Sequence, residues 1–308
     1  MTRVVRAPGK LVLVGEYAVL DGGGAIVAAV DHGVQCTVTP LGGAGLPTSP
    51  GGQHGSSNSN VVGDFTGQIV TPGDDRFVRA ALRDAPPAVY TFSDWNPVDL
   101  GGAKPGFGGS AAATVAAVIA ADLPPRRAYE AHVAVQGSGS GVDVFASLLG
   151  DVRTFPDGLS VECPPLLAVW SGQSAKTGPR VTRYQAWRRR DQFVEWSRTI
   201  VRRVSFEPIA AFAEAYDLLK MMAESAGIDY DTPAHARIAA LAADHGGAAK
   251  PSGAGGGDVA VACLPDLDAL DAFGAACAAA GLLPIPVQIV PGAWSGPIAD
   301  ARPIVTHA

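Results

Sequence analysis

The sequence predicts an α+β chain of two domains, and three observations lead there. Residues 3–40 read as strands, an uncharged helix follows the glycine-rich turn Lys104–Ser110, and the apolar run Leu166–Trp170 reads as a buried strand opening a second half. The predicted division is therefore 1–164 and 165–308. With 308 residues, 47% of them hydrophobic, and a mean hydropathy of +0.19, the chain has material for two ordinary cores.

Val4-Val5 and Leu11–Val14 predict strands, and Gly22–Gly24 a turn. Ala25–Val30 and Val34–Val38 predict a β pair broken at Asp31-His32-Gly33. Residues 41–60, mostly Gly, Ser, Pro and Asn, have loop composition. Phe65–Val70 predicts a strand, Asp75–Ala85 a helix and Val89–Phe92 a strand. Ala111–Ala121 carries no charge, so its helix is expected to be buried on every side. A helix over 125–135, a turn Gln136–Asp143 and a short helix Val144–Leu149 follow.

In the second half, helices are predicted over 181–203 and 205–226. The later one should bury Phe206, Ile209, Ala213, Tyr216, Leu219 and Ala223, which recur at three- and four-residue steps. A third glycine turn, Lys250–Asp258, runs into a strand Val259–Leu264. A helix Leu267–Ala280 and a strand Leu283–Val290 complete the half; two prolines restrict that strand to a sheet edge.

Composition narrows the function. A net charge of −6 argues against nucleic acid as partner. Pro105–Ala121 and Ala272–Ala299 are uncharged but too short or too broken by proline to span a membrane. The N-terminus has no apolar signal core, so a cytoplasmic address is expected. The four cysteines show no metal-like pairing and read as buried thiols. Of 23 basic residues only five are lysine, and Lys10, Lys104, Lys176 and Lys250 lie in or beside Gly/Ser turns. A compact cation beside such a turn suits phosphate.

The three turns carry the chemistry. Lys104-Pro-Gly106-Phe107-Gly108-Gly109-Ser110 opens onto a helix N-terminus, where unpaired N–H groups and the helix dipole favour an anion. Ser110 adds a possible magnesium ligand; a tight loop packed beneath a core helix is the other reading. Asp143 follows Gly139-Ser140-Gly141 and can accept or orient a hydroxyl proton, or simply cap its helix. Lys10 after Pro8-Gly9 can offset phosphate charge, or be a solvated lysine opening a strand. The third turn can wrap an anionic substrate in backbone amides, or be a hairpin loop. No P-loop consensus occurs. Gly106-x-Gly108-x-x-Ala111 fits a relaxed dinucleotide fingerprint, but no apolar strand precedes it, which weakens a dehydrogenase reading.

These residues resemble the GHMP superfamily of small-molecule kinases over nearly the whole chain. Pro8–Leu20, Gly106–Ala112 and Pro251–Asp258 resemble its three motifs, in order. Four details are similar to the phosphomevalonate kinase branch: Tyr17 after Gly15-Glu16, Lys104 two residues before the loop, Gln136–Asp143, and Trp170-Ser-Gly-x-x-Ala-x-Thr177. The resemblance implies an N-terminal α/β domain with a left-handed βαβ crossover, a ferredoxin-like C-terminal domain and an active site between them. It implies ATP and Mg2+ as cofactors and transfer of a phosphoryl group to 5-phosphomevalonate in isoprenoid synthesis. Asp143 and Lys10 would be catalytic. Lys104 and Gly106, Phe107, Gly108, Gly109, Ser110 and Ala111 would hold ATP, with Ser110 on the metal. Lys10, Glu16, Tyr17, Ser138, Ser140, Ser252 and Gly253 would line the substrate. Gly109 departs from the pattern by replacing the first of two loop serines.

The expected partner is a small phosphorylated or polyol-acid substrate, with neither nucleic acid nor membrane, and the chain acting as monomer or homodimer. A doubly charged acceptor should draw Lys10, Lys104, Lys176 and Lys250 to one cleft; mevalonate or another alcohol needs fewer cations. A binding homologue without turnover is the remaining alternative, and Gly109 is the residue that favours it.

Overall fold

The computed structural model describes residues 2–41, 65–137 and 139–301. The N-terminal half comprises β1 (Arg3–Val14), a short 3-10 turn (Ala18–Asp21), β2 (Ala25–Pro40), β3 (Gln68–Val70), α1 (Arg76–Ala81) and β4 (Ala88–Trp95). It continues through α2 (Gly109–Ala120), α3 (Arg127–Gln136), α4 (Val142–Leu149) and β5 (Val152–Phe155). The later half runs β6 (Leu166–Trp170), α5 (Thr177–Ala186), α6 (Arg190–Arg203), α7 (Pro208–Ala226) and α8 (Pro233–Asp244). It ends with β7 (Ala248–Pro251), β8 (Val259–Cys263), α9 (Leu267–Ala279), β9 (Leu283–Pro286) and α10 (Ile298–Ala301).

Two sheets organise the chain. The first has the order β1-β2-β4-β3, with β5 pairing to the start of β2 and β3 running parallel to β4. The second has the order β7-β8-β6-β9 and is antiparallel throughout. Its strand order and its β6-(α5–α8)-β7-β8-α9-β9 succession are those of a ferredoxin-like β-α-β-β-α-β unit with four helices in the first crossover. β9 is indeed an edge strand, where Pro284 and Pro286 face Val169 and Leu167 without breaking a central ladder.

Helix α2 lies beneath the first sheet, packed on β1, β2, α1, α3 and α4. Its sequence explains this burial: Ala111, Ala112 and every residue from Thr114 to Ala120 are buried, and Thr114 satisfies its hydroxyl on the Ser110 carbonyl at 2.7 Å. Residues 289–301 return from the second sheet to the first. Val290 accepts from Asp151 N at 2.8 Å, Ala293 N and Trp294 N donate to Ser147 O and Leu148 O, and Tyr129 Oη donates to Ala301 O.

Three expectations need correction. The predicted break at Asp31-His32-Gly33 is absent, because β1 pairs with β2 on both sides of it (Gly9 with Val30, Ala7 with Val34) and absorbs the bend in a bulge. The predicted 181–203 helix begins earlier, at Thr177, and is interrupted between α5 and α6. There Trp187 turns extended, its indole donating to Ser225 Oγ at 3.1 Å and its ring lying 6.1 Å from Phe193. That stop is tertiary; no glycine or proline marks it. Helix α8 was not anticipated, although Thr232-Pro233 is a start signal: Thr232 Oγ1 accepts from His235 N at 3.1 Å.

The buried face of α7 also differs from the predicted one. The helix starts at Pro208, so Phe206 precedes it and is 84% exposed, and Ala213 is exposed as well. Tyr216, Leu219 and Ala223 are buried as predicted, and Phe212, Ala215 and Met222 fill the core beside them. Phe212→Ala is therefore expected to lower unfolding free energy by about 3–5 kcal/mol, and Phe206→Ala by no more than about 0.5 kcal/mol. Urea denaturation of the two variants measures both.

Candidate active site

The three glycine turns meet. β1 carries Lys10 under the Lys104–Ser110 turn, where Lys10 N donates to Phe107 O at 2.8 Å. A Cβ on Gly9 would stand 2.0 Å from His32 O and 2.7 Å from Phe107 O, so only glycine permits that approach. Lys10 is 7% exposed. Its Nζ donates to Gly106 O at 3.3 Å and lies 4.0 Å from Asp143 Oδ1. A Cβ on Gly253, in the third turn, would be 3.8 Å from the same Nζ. Lys10 thus touches all three segments.

Gly108 is the N-cap of α2 in left-handed conformation, and no side chain caps the helix. Gly109 and Ser110 in its first turn are exposed, with open space where a Gly109 side chain would be. Gly141 caps α4 in the same way and places Asp143 in the first helical turn. A Cβ on Gly108 would be 3.6 Å from Asp143 Oδ2. The uncapped helix end, the lysine and the carboxylate border one space, which fits a polyphosphate. No group of three or more His, Cys, Asp or Glu able to hold a metal occurs among the described residues. An Mg2+ ion arriving with nucleotide phosphates would find exposed Ser110 as a protein oxygen at this helix end.

The remaining expected residues fall into different roles. Ser138 lies outside the described residues. Ser140 Oγ accepts from Val142 N at 3.3 Å at the start of α4. Ser252 is buried and accepts from Val12 N at 2.9 Å, stitching the third turn to β1. Tyr17 is buried and donates to Ala254 O at 2.6 Å; burial raises its pKa. Glu16 Oε1 and Lys250 Nζ form a wholly buried ion pair, and Glu16 Oε2 has no hydrogen-bond partner. Burial pulls the Lys250 pKa down, and Glu16 holds it up. The expectation that Lys250 joins the other lysines on an anionic ligand therefore fails: its charge is spent on Glu16. Lys104 and Lys176 are exposed. Ser174 links the Lys104 loop to the segment entering α5, its Oγ accepting from Lys104 N and donating to Lys104 O at 3.1 Å.

Three further residues belong to the site. Arg180 donates to Asp229 O and Lys176 O, and its Nη2 lies 1.7 Å from where a Cβ on Gly256 would be. Asp258 accepts from Ala175 N at 2.9 Å and packs on Gly106. Burial raises its pKa against the pull of that N–H, Lys10 and Arg180. His132 is buried on α3, its Nε2 3.4 Å from Ser110 Oγ. Burial lowers its pKa, and Asp143 opposes that shift. Asp258 ends the third motif and was legible there; Arg180 and His132 carry no local signal.

Comparison with known proteins agrees with this arrangement. No family model matches the sequence. The chain is 28% identical to phosphomevalonate kinase of Streptomyces sp. (strain CL190), over 85% of this chain and 90% of that protein. It is 29% identical to mevalonate kinase of Archaeoglobus fulgidus, over 61% of this chain and 64% of that one. The solved Streptococcus pneumoniae phosphomevalonate kinase, in complex with phosphomevalonate and AMPPNP, shares its fold. That likeness has a TM-score of 0.68 at 17% identity, covering 94% of this chain and 100% of that one. The fold is that of the GHMP kinases. No helix among the described residues is long and apolar enough to cross a membrane.

Lys250→Met strands the Glu16 carboxylate without its counter-charge and is expected to cost about 3–5 kcal/mol of folding stability. Adding Glu16→Gln should return most of it. Equilibrium unfolding of the single and double variants measures the difference; equal stability of Lys250→Met and the parent would remove the pair from the framework.

Proposed function

We propose that this chain transfers the γ-phosphoryl group of ATP to 5-phosphomevalonate, giving the diphosphate and ADP. The observation that carries the reading is the meeting of Lys10 and Asp143 beside the Gly106–Gly108 turn and Gly253. Support comes from the likeness to the Streptomyces enzyme over most of both chains.

In that reaction a phosphate oxygen of the acceptor forms a bond to the γ-phosphorus while the bond to the β,γ-bridging oxygen breaks and ADP leaves. The α2 N-terminus and the glycine backbone hold the ATP phosphates, and Lys104 stands at the loop's entry. Mg2+, bound with ATP, would neutralise charge on its phosphates from the side of Ser110. Lys10, 4.0 Å from Asp143, keeps the carboxylate from repelling an anionic acceptor. A phosphate monoester has a second pKa of about 6, so Asp143 has at most one proton to take from it and mainly orients the attacking oxygen. Arg180, against the third turn, replaces Lys250 as the cation for the acceptor's phosphate.

One observation favours a second acceptor, mevalonate. Lys250 is neutralised by Glu16, so one of the four lysines that would meet a doubly charged acceptor is withdrawn from it. Coupled ADP release with 5-phosphomevalonate, mevalonate, homoserine and galactose separates the readings. The first requires 5-phosphomevalonate to give the highest kcat/KM. Asp143→Asn is expected to cut kcat by roughly 10²-fold or more with an unchanged melting curve. The loss should be larger with an alcohol acceptor, whose proton must leave; an unaltered rate would remove Asp143 from the mechanism. Arg180→Gln is expected to raise KM for 5-phosphomevalonate about tenfold, the worth of one charged hydrogen bond. KM for ATP should hold, and steady-state kinetics with each substrate varied in turn distinguishes the two.

A further inference from the structure

His32 lies directly behind the nucleotide turn and has no part in the reaction above. It sits on β2, 8% exposed, with its ring stacked on Phe107 at 4.9 Å between centroids and 12° between planes. Both ring nitrogens face carbonyl oxygens: Nδ1 is 2.7 Å from Asn96 O and Nε2 is 2.9 Å from Pro286 O. A carbonyl only accepts. A neutral imidazole has one N–H and would leave one carbonyl facing a bare nitrogen; only the doubly protonated ring donates to both.

A carboxylate stands beside the ring. Asp31 Oδ1 is 3.9 Å from Nε2. Asn96 Nδ2 and Gln288 N donate to Asp31 at 3.0 and 2.9 Å, fixing the carboxylate beside the ring. Asn96 therefore serves both partners, accepting from His32 through its carbonyl and donating to Asp31 through its amide. The contacts come from separate parts of the chain: Asn96 follows β4, Pro286 closes β9 in the second sheet, and Phe107 forms the tip of the loop between Gly106 and Gly108.

We infer that His32 is a positioning residue, a strut that ties the Phe107 turn to the second sheet and so sets the backbone cradle for the ATP phosphates. The inference rests on the reading that this turn holds a nucleotide. It assigns the aromatic residue of the turn a task of its own: Phe107 is the face the strut pushes against, not a contact for the ligand.

Two measurements test it. The first is amide hydrogen exchange of wild-type protein and His32→Phe, read over the Gly106–Gly108 turn, which should exchange faster in the variant. The second is calorimetric binding of a non-hydrolysable ATP analogue. His32→Phe keeps a flat ring against Phe107 but loses the polar contacts to Asn96 and Pro286, and should weaken analogue binding about tenfold or more while acceptor affinity holds. His32→Gln, which restores a side-chain donor without the ring, should recover part of the loss. Unchanged exchange over the turn, or wild-type affinity in a folded His32→Phe protein, overturns the inference. Failure of wild-type protein to bind the analogue would overturn the nucleotide assignment instead, and the exchange rates would still decide whether His32 holds the turn.

Discussion

The structure depends on backbone segments approaching more closely than any side chain permits. Gly9 lies against His32 O and Phe107 O, and Gly257 would place a Cβ 2.7 Å from Gln173 O. Gly106 is packed on the side chain of Asp258. Each contact joins stretches remote in sequence, so a methyl group at any of them would separate two of the turns. The consequence is positional. Lys10 reaches Gly106 O and Asp143 only because its own backbone is pinned to Phe107.

Charge is arranged around that frame in two layers. The inner layer, Glu16 with Lys250, is sealed from solvent and neutral as a pair. A pair so deeply buried contributes little net stability, but removing one partner leaves an expensive orphan. What it supplies is orientation: Lys250 also donates to Pro251 O at 3.0 Å, just before the third turn. The outer layer, Lys10, Asp143, Asp258 and Arg180, is where a ligand's charge can act. The lysine nearest the third motif in sequence belongs to the inner layer, and an arginine from the start of α5 to the outer.

Much of this was legible in the sequence where the signal is local. The uncharged Ala111–Ala121 stretch announces a buried helix, Leu166–Trp170 a central strand, and Gly106–Ser110 a turn onto a helix N-terminus. What stayed hidden has tertiary causes. The stop after Ala186 depends on Trp187 finding Ser225 on another helix. The fate of Lys250 depends on Glu16, 234 residues away. The mutual approach of Ser110 and His132 across α2 and α3 has no signature in either segment. Phe206 was misplaced for a simpler reason: a period of three and four residues was extended past Pro208, which starts the helix.

The return of residues 289–301 to the first sheet also binds the halves. The main chain leaves that sheet after β5 and comes back after β9, where Asp151 N, Ser147 O and Leu148 O bind the returning segment. The halves are thus joined by two covalent straps rather than one. Leu13, Tyr17 and Val30 of the first half share one buried cluster with Phe193, Phe212 and Tyr230 of the second. Parting the halves would bare that cluster to water, so the seam is held by the hydrophobic effect as well as by the chain.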